Sequence, residues 1–159
     1  MPIYKLDHGK YAKEYIDAAI DIYTSQECIN HLKLESHRAK PIKDKEQFQV
    51  GPWRIMPFDV MHDIKTFGFI IYHVPTKNKI IFFTDTYYVP VKFKDVNNII
   101  GEINFSYEII DRKTKEGARH VFLRDRILQS HMSLHVFQDF LRANDLTAVN
   151  NIVLQRYLF

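Results

Sequence analysis

The sequence predicts an α/β (α+β) domain, on three observations. Short strand-like and helix-like segments alternate near the start, a run of strands follows, and helices with one more strand close the chain. A continuous apolar run, Ile80-Ile81-Phe82-Phe83, ends abruptly in Thr84-Asp85-Thr86. Polar residues able to do chemistry gather just past strand ends, at Asp7-His8, His62-Asp63, Asp85, Glu102 to Asn104 and Ser130-His131. Several such loops on one small domain are expected to converge on a single sheet edge, where α/β proteins build their sites.

Taken in order, Gly9 to Ala19 sets Tyr11, Tyr15, Ile16 and Ala19 on one helical stripe. Ile20 to Thr24 alternates as a short strand, and Ser25 stands as the N-cap of a helix running to Leu32. Phe48 to Val50 and Trp53 to Val60 read as strands turned by Gly51-Pro52. Phe69 to Val74 and Lys79 to Thr84, joined by Pro75-Thr76-Lys77-Asn78, read as a hairpin, so this stretch is a β-meander. The apolar run in the second hairpin strand predicts cover on both faces. Asn97 to Ile103 is a further strand. Ser106 to Lys115 and Val121 to Gln129 are expected helices, separated around Gly117. Ser133 caps a run with Leu134, Phe137, Phe140 and Leu141 at helical spacing, and Asn151 to Leu154 is the last strand.

Composition narrows the function classes. A length of 159 residues predicts one domain over 1–159, with a core of useful size. Hydrophobic content of 46% and aromatic content of 14% argue against disorder, and a net charge of +3 permits only weak attraction to polyanions. The lone Cys28 excludes an internal disulfide and a Cys-rich zinc site. No basic-then-apolar leader follows Met1 and no apolar run approaches about 20 residues, so no membrane association and a cytoplasmic location are expected. A Gly-x-Ser-x-Gly elbow is absent, and with five glycines so is a Gly-rich phosphate loop. His31, His37, His73, His120 and His135 read as surface or packing residues. Lys40, Lys43, Lys45, Arg112, Lys113, Lys115, Arg119, Arg124 and Arg126 read as solvated faces unless they cluster in space.

The residues near strand ends each have two readings. Asp85 is either a turn residue bonding nearby backbone or a rigidly held carboxylate suited to metal ligation or general acid/base work. Asp7 is a helix cap or part of an Asp-His pair. His62 and His131 are structural histidines or members of a site.

Taken together and in order, Asp7-His8, Met61-His62-Asp63, Phe83-Thr84-Asp85-Thr86, Gly101-Glu102, Ser130-His131-Met132-Ser133 and Ile152-Val153-Leu154 resemble the metallo-β-lactamase-fold hydrolases. The likeness is closest to the YycJ-like (WalJ-like) branch, phage-encoded members included, and covers nearly the whole chain. It implies a β-sandwich flanked by helices with a one- or two-metal site at one edge. Asp7-His8 matches the last two positions of the family's His-x-His-x-Asp-His signature, His62 its third-motif histidine, and Asp85 its metal-bridging aspartate. The resemblance therefore implies Asp7, His8, His62 and Asp85 as metal ligands, with Asp7 and Asp85 as the catalytic carboxylates. Asp63, Glu102, Asn104, His131 and Arg156 are implied to lie beside the site.

The departures from the family pattern are specific. Its first two histidines fall on Ile3 and Lys5, and its closing histidine on Arg156. By this reading the domain is incomplete at both its N- and C-termini. A dinuclear centre is not expected; one Zn²⁺ or Mn²⁺, or none, is. The functional expectation is a metal-dependent hydrolase, phosphodiesterase- or nuclease-like in lineage, acting on a nucleic acid or another phosphodiester. The alternatives are a degenerate domain that binds nucleic acid or protein, and one part of a split enzyme. Bare strand edges predict a homo-oligomer or a complementing protein chain.

Overall fold

The computed structural model describes residues 9–62, 65–115 and 128–156, without the side chains of 113, 114 and 156. The expected helix from Val121 to Gln129 falls largely outside the described residues. The chain divides into two compact units, Met1–Glu46 and Gln47–Phe159.

In the first unit, α1 (Ala12–Asp17) precedes β1 (Ile22–Thr24), α2 (Gln26–Leu32) and β2 (Ala39–Pro41). Ser25 caps α2 as its sequence position foretells, its Oγ accepting from the Cys28 N–H at 3.1 Å. β1 and β2 pair in parallel around α2, a strand–helix–strand unit closed over Ala12, Leu34 and Ala39. Asp21 receives Lys40 Nζ at 2.6 Å and Arg38 Nη1 at 3.1 Å. The hydrogen bond from Lys40 is the largest of the effects holding the Asp21 carboxyl below its ordinary 3.8. Lys43 and Lys45 also have acidic neighbours, Glu46 and Asp44, so these lysines form solvated ion pairs.

The second unit is built on one six-stranded sheet in sequence order: β3 (Phe48–Val50), β4 (Trp53–Val60), β5 (Thr66–His73), β6 (Asn78–Phe83), β7 (Asn98–Ile103) and β8 (Asn151–Arg156). The strands from β3 to β6 are antiparallel neighbours, as expected of a meander. β7 and β8 then join in parallel, so β6 reaches β7 by a crossover rather than a tight turn.

The helices of this unit include, among the described residues, α3 (Tyr107–Lys115) and α4 (Leu134–Ala143), and residues 128–130 are also helical. Ser133 caps α4 through its Oγ and the Val136 N–H. The helix drives Phe137 and Phe140 onto the sheet, where the Phe140 ring meets Phe83 edge-on with 5.2 Å between centroids. Gly101 makes room for this packing. A Cβ there would stand 2.7 Å from the Phe83 ring and 2.8 Å from that of Phe137. The expectation that β6 is covered on both faces needs correction. Ile81 and Phe83 are buried on the core face, whereas Ile80 and Phe82 are only half-buried on the other. An apolar run alone does not distinguish these two cases.

Candidate metal centre

β4 and β6 both run antiparallel to β5, and β7 and β8 run parallel to β6. The C-terminal ends of these four strands therefore share one edge of the sheet. That topology gathers residues scattered along the sequence.

His62 follows β4 and Asp85 follows β6. The two segments that carry them are tied together by the bridge from Met61 to Tyr88, in which the Met61 N–H donates to Tyr88 O at 3.1 Å. The Tyr87 N–H donates back to Met61 O at 2.7 Å. Thr86, 1% exposed, sits inside this crossing, its Oγ 2.8 Å from Tyr88 O and 3.1 Å from Met61 O. Asp85 has a left-handed backbone at φ +44°, a conformation that disfavours side chains other than glycine. Its N–H donates to Glu102 Oε2 at 2.6 Å.

His131 arrives from the segment leading into α4. That segment lies along the end of β7: the Asn104 N–H donates to Met132 O at 3.0 Å, the Leu134 N–H to Phe105 O at 2.9 Å, and Phe105 bridges Ser133. Met132, fully buried, anchors it in the core.

His62, Asp85 and His131 consequently come together, each offering a ligand atom, with all three atoms within 4.8 Å of one another. His131 Nδ1 stands 3.9 Å from Asp85 Oδ1, and the two imidazole rings are 5.9 Å apart at their centroids. Two imidazoles and a carboxylate suit Zn²⁺ or Mn²⁺. Tetrahedral zinc, with bonds of about 2.0–2.2 Å, wants donors spaced about 3.4 Å apart. The three donors need only a small contraction to reach that spacing.

Of the sequence-expected ligands, His62 and Asp85 are thus neighbours. Asp7, His8 and Asp63 lie outside the described residues, as does the side chain of Arg156; its backbone pairs opposite Ile103 at the same sheet edge. Glu102 and Asn104 are buried beside Asp85 and joined to each other, Asn104 Nδ2 donating to Glu102 Oε1 at 2.7 Å. His131, expected only beside the site, stands among the donors. The signal for it was its place in a short polar segment just ahead of the Ser133 cap.

Comparison with protein-family models gives no match, and neither does comparison with curated proteins. Solved structures do match. The metallo-β-lactamase fold protein YhfI from Bacillus subtilis superposes with a TM-score of 0.56 at 12% identity, over 87% of this chain and 53% of that one. The short form of human tRNase Z gives 0.48 at 13% identity, over 86% and 60%, and unliganded yeast PDE1 gives 0.49 at 16% identity, over 73% and 39%. The last two scores are too low to argue from. The chain spans about half the length of the Bacillus protein. No helix among the described residues is long and apolar enough to cross a membrane. The chain is α/β (α+β) and has the metallo-β-lactamase fold over the part it spans, with two histidines and an aspartate clustered at one edge of its sheet.

Proposed function

We propose that this chain is a metal-dependent hydrolase of the metallo-β-lactamase fold, holding one divalent ion, Zn²⁺ or Mn²⁺, on His62, Asp85 and His131. The observation that carries the reading is the convergence of those three ligand atoms within 4.8 Å. Two of them are the positions that the motif order assigns to the third-motif histidine and the bridging aspartate. The same motif order supports a phosphodiesterase- or nuclease-like lineage in the YycJ-like, phage-type branch. It also supports Asp7 and His8 as further ligands.

The bound ion would supply Lewis-acid polarisation of a phosphoryl or carbonyl oxygen and a lowered pKa for water. The protein's own part is orientation. Asp85 is fixed by its backbone hydrogen bond to Glu102, and the burial of His131 restricts its imidazole to few orientations. The three donors His62, Asp85 and His131 alone leave open positions, which Asp7, His8, substrate or water would fill.

A second reading has its own observation. Ile3, Lys5 and Arg156 stand where the family pattern has histidines, which favours a catalytically degenerate module that binds nucleic acid or protein. A cytoplasmic setting accords with the unpaired Cys28. Exposed Ile152, Val153 and Leu154 on β8 support a homo-oligomer or a complementing chain, which sedimentation at micromolar concentration tests.

Elemental analysis, with calorimetric Mn²⁺ and Zn²⁺ titration of the wild type and Asp85→Ala, tests the main reading. Binding by the wild type, and binding at least about 100-fold weaker by the variant, is expected. No binding at millimolar metal would overturn it. If metal binds, cleavage of bis-p-nitrophenyl phosphate compared with single- and double-stranded DNA separates a general phosphodiesterase from a nuclease.

A further inference from the structure

We infer that Glu102 and Asn104 form a buried bracket that sets the spacing of Asp85 and His131, making both positioning residues for metal binding; this rests on the metal reading above. Glu102 lies one residue from the end of β7 and is 2% exposed. A carboxylate buried so deeply is costly unless its oxygens are fully used. Both are. Oε2 accepts from the Asp85 N–H at 2.6 Å and Oε1 from Asn104 Nδ2 at 2.7 Å.

The two contacts belong to one chain of restraints. Asp85 adopts its φ of +44° against its own preference, and the hydrogen bond from its N–H fixes the peptide plane that aims the side chain. On the other side, Asn104 holds Met132 through its own N–H, and Met132 is the immediate neighbour of His131. The path Asp85, Glu102, Asn104, Met132, His131 therefore joins two donors through groups that are themselves almost wholly buried. No lysine or arginine pairs with Glu102 among the described residues, so its role is not that of half an ion pair. Its geometry demands an acceptor at both oxygens. A glutamine can satisfy only one of the two donors and must turn its amide N–H toward the other.

That asymmetry gives the test. Mn²⁺ affinity is measured by calorimetry for the wild type, Glu102→Gln, Asn104→Asp and the double variant Glu102→Gln/Asn104→Asp. Each single variant should bind about 10–100-fold more weakly. The double variant exchanges acid and amide at unchanged charge. Its introduced amide can accept from the Asp85 N–H and donate to the introduced carboxylate, so affinity should return to within about threefold of wild type. A purely space-filling role predicts little effect of Glu102→Gln and no rescue. Amide hydrogen exchange on the metal-free wild type reads the bracket without any variant, and a protected Asp85 N–H is expected. A fast-exchanging Asp85 N–H, or a folded Glu102→Gln that binds Mn²⁺ like the wild type, overturns the inference alone. Failure of the wild type to bind Mn²⁺ overturns the metal reading and this inference with it.

Discussion

The two ends of the six-stranded sheet use polar residues in opposite ways. At the end bearing the turns, polar side chains serve the backbone near the surface. Asn97 Oδ1 accepts from the Lys79 N–H at 2.8 Å, and His73 Nδ1 meets Thr76 Oγ at 2.8 Å in the exposed hairpin turn. At the other end they are inside. Of the seven buried polar residues described in the chain, six stand at the end where His62, Asp85 and His131 meet: Thr86, Glu102, Asn104, Ser130, His131 and Ser133. A protein gains little stability by burying polar groups, even well-paired ones, so such a concentration marks where geometry matters more than stability. The contrast marks the candidate site without reference to any relative.

Substitutions at the two ends should sort accordingly. Asp85→Ala is expected to weaken Mn²⁺ or Zn²⁺ binding by at least about 100-fold, whereas Asn97→Ala at the opposite end should leave calorimetric affinity within about twofold. A comparable loss from Asn97→Ala would erase the distinction between the ends. His131→Ala should cost at least about tenfold in affinity, against no change for His73→Ala, whose ring lies 4.4 Å from that of Trp53. Gly101→Ala forces a methyl group between the Phe83 and Phe137 rings. Denaturant unfolding should show a loss of about 1–3 kcal/mol. It should also weaken metal binding, since residue 101 adjoins Glu102. A smaller effect belongs to the first unit. Because the Asp21 carboxyl is held below 3.8, its pairing stabilises above that pH and is lost as pH falls through the lowered value. Asp21→Asn should therefore cause a slight loss in melting temperature at pH 7 that vanishes in acid, with metal affinity at neutral pH unchanged. The pair is half-exposed and screened, so salt should shrink the effect.

Local chemistry made much of this legible in the sequence. The caps at Ser25 and Ser133, the Gly51-Pro52 turn and the hairpin between β5 and β6 are written in neighbouring residues, and each forms. Motif order singled out His62 and Asp85, which the fold brings together. What stayed hidden depends on pairing at a distance. β2 is three residues long and exists because it lies against β1, which no periodicity announces. The parallel entry of β7 depends on a crossover rather than a turn signal. His131 joins the donors through the hydrogen bond between Asn104 and Met132, and Glu102 matters because it meets Asp85 across the sheet. Neither contact has a local signature.

The bridge between Met61 and Tyr88 and the seating of Met132 beside Asn104 also carry a kinetic consequence. The three donors come from segments far apart in the chain, and parallel strands pair only after long loops have closed, a slow step in folding. The cluster is therefore complete only when the sheet and the approach to α4 have both assembled, and an unfolded chain offers no equivalent site. A cation that binds it selects the finished molecule. At a metal concentration 100 times the dissociation constant, that selection adds about 2.7 kcal/mol to the unfolding free energy. The melting temperature should then climb with added Mn²⁺ and fall back with a chelator, making thermal denaturation a gauge of the site that requires no substrate.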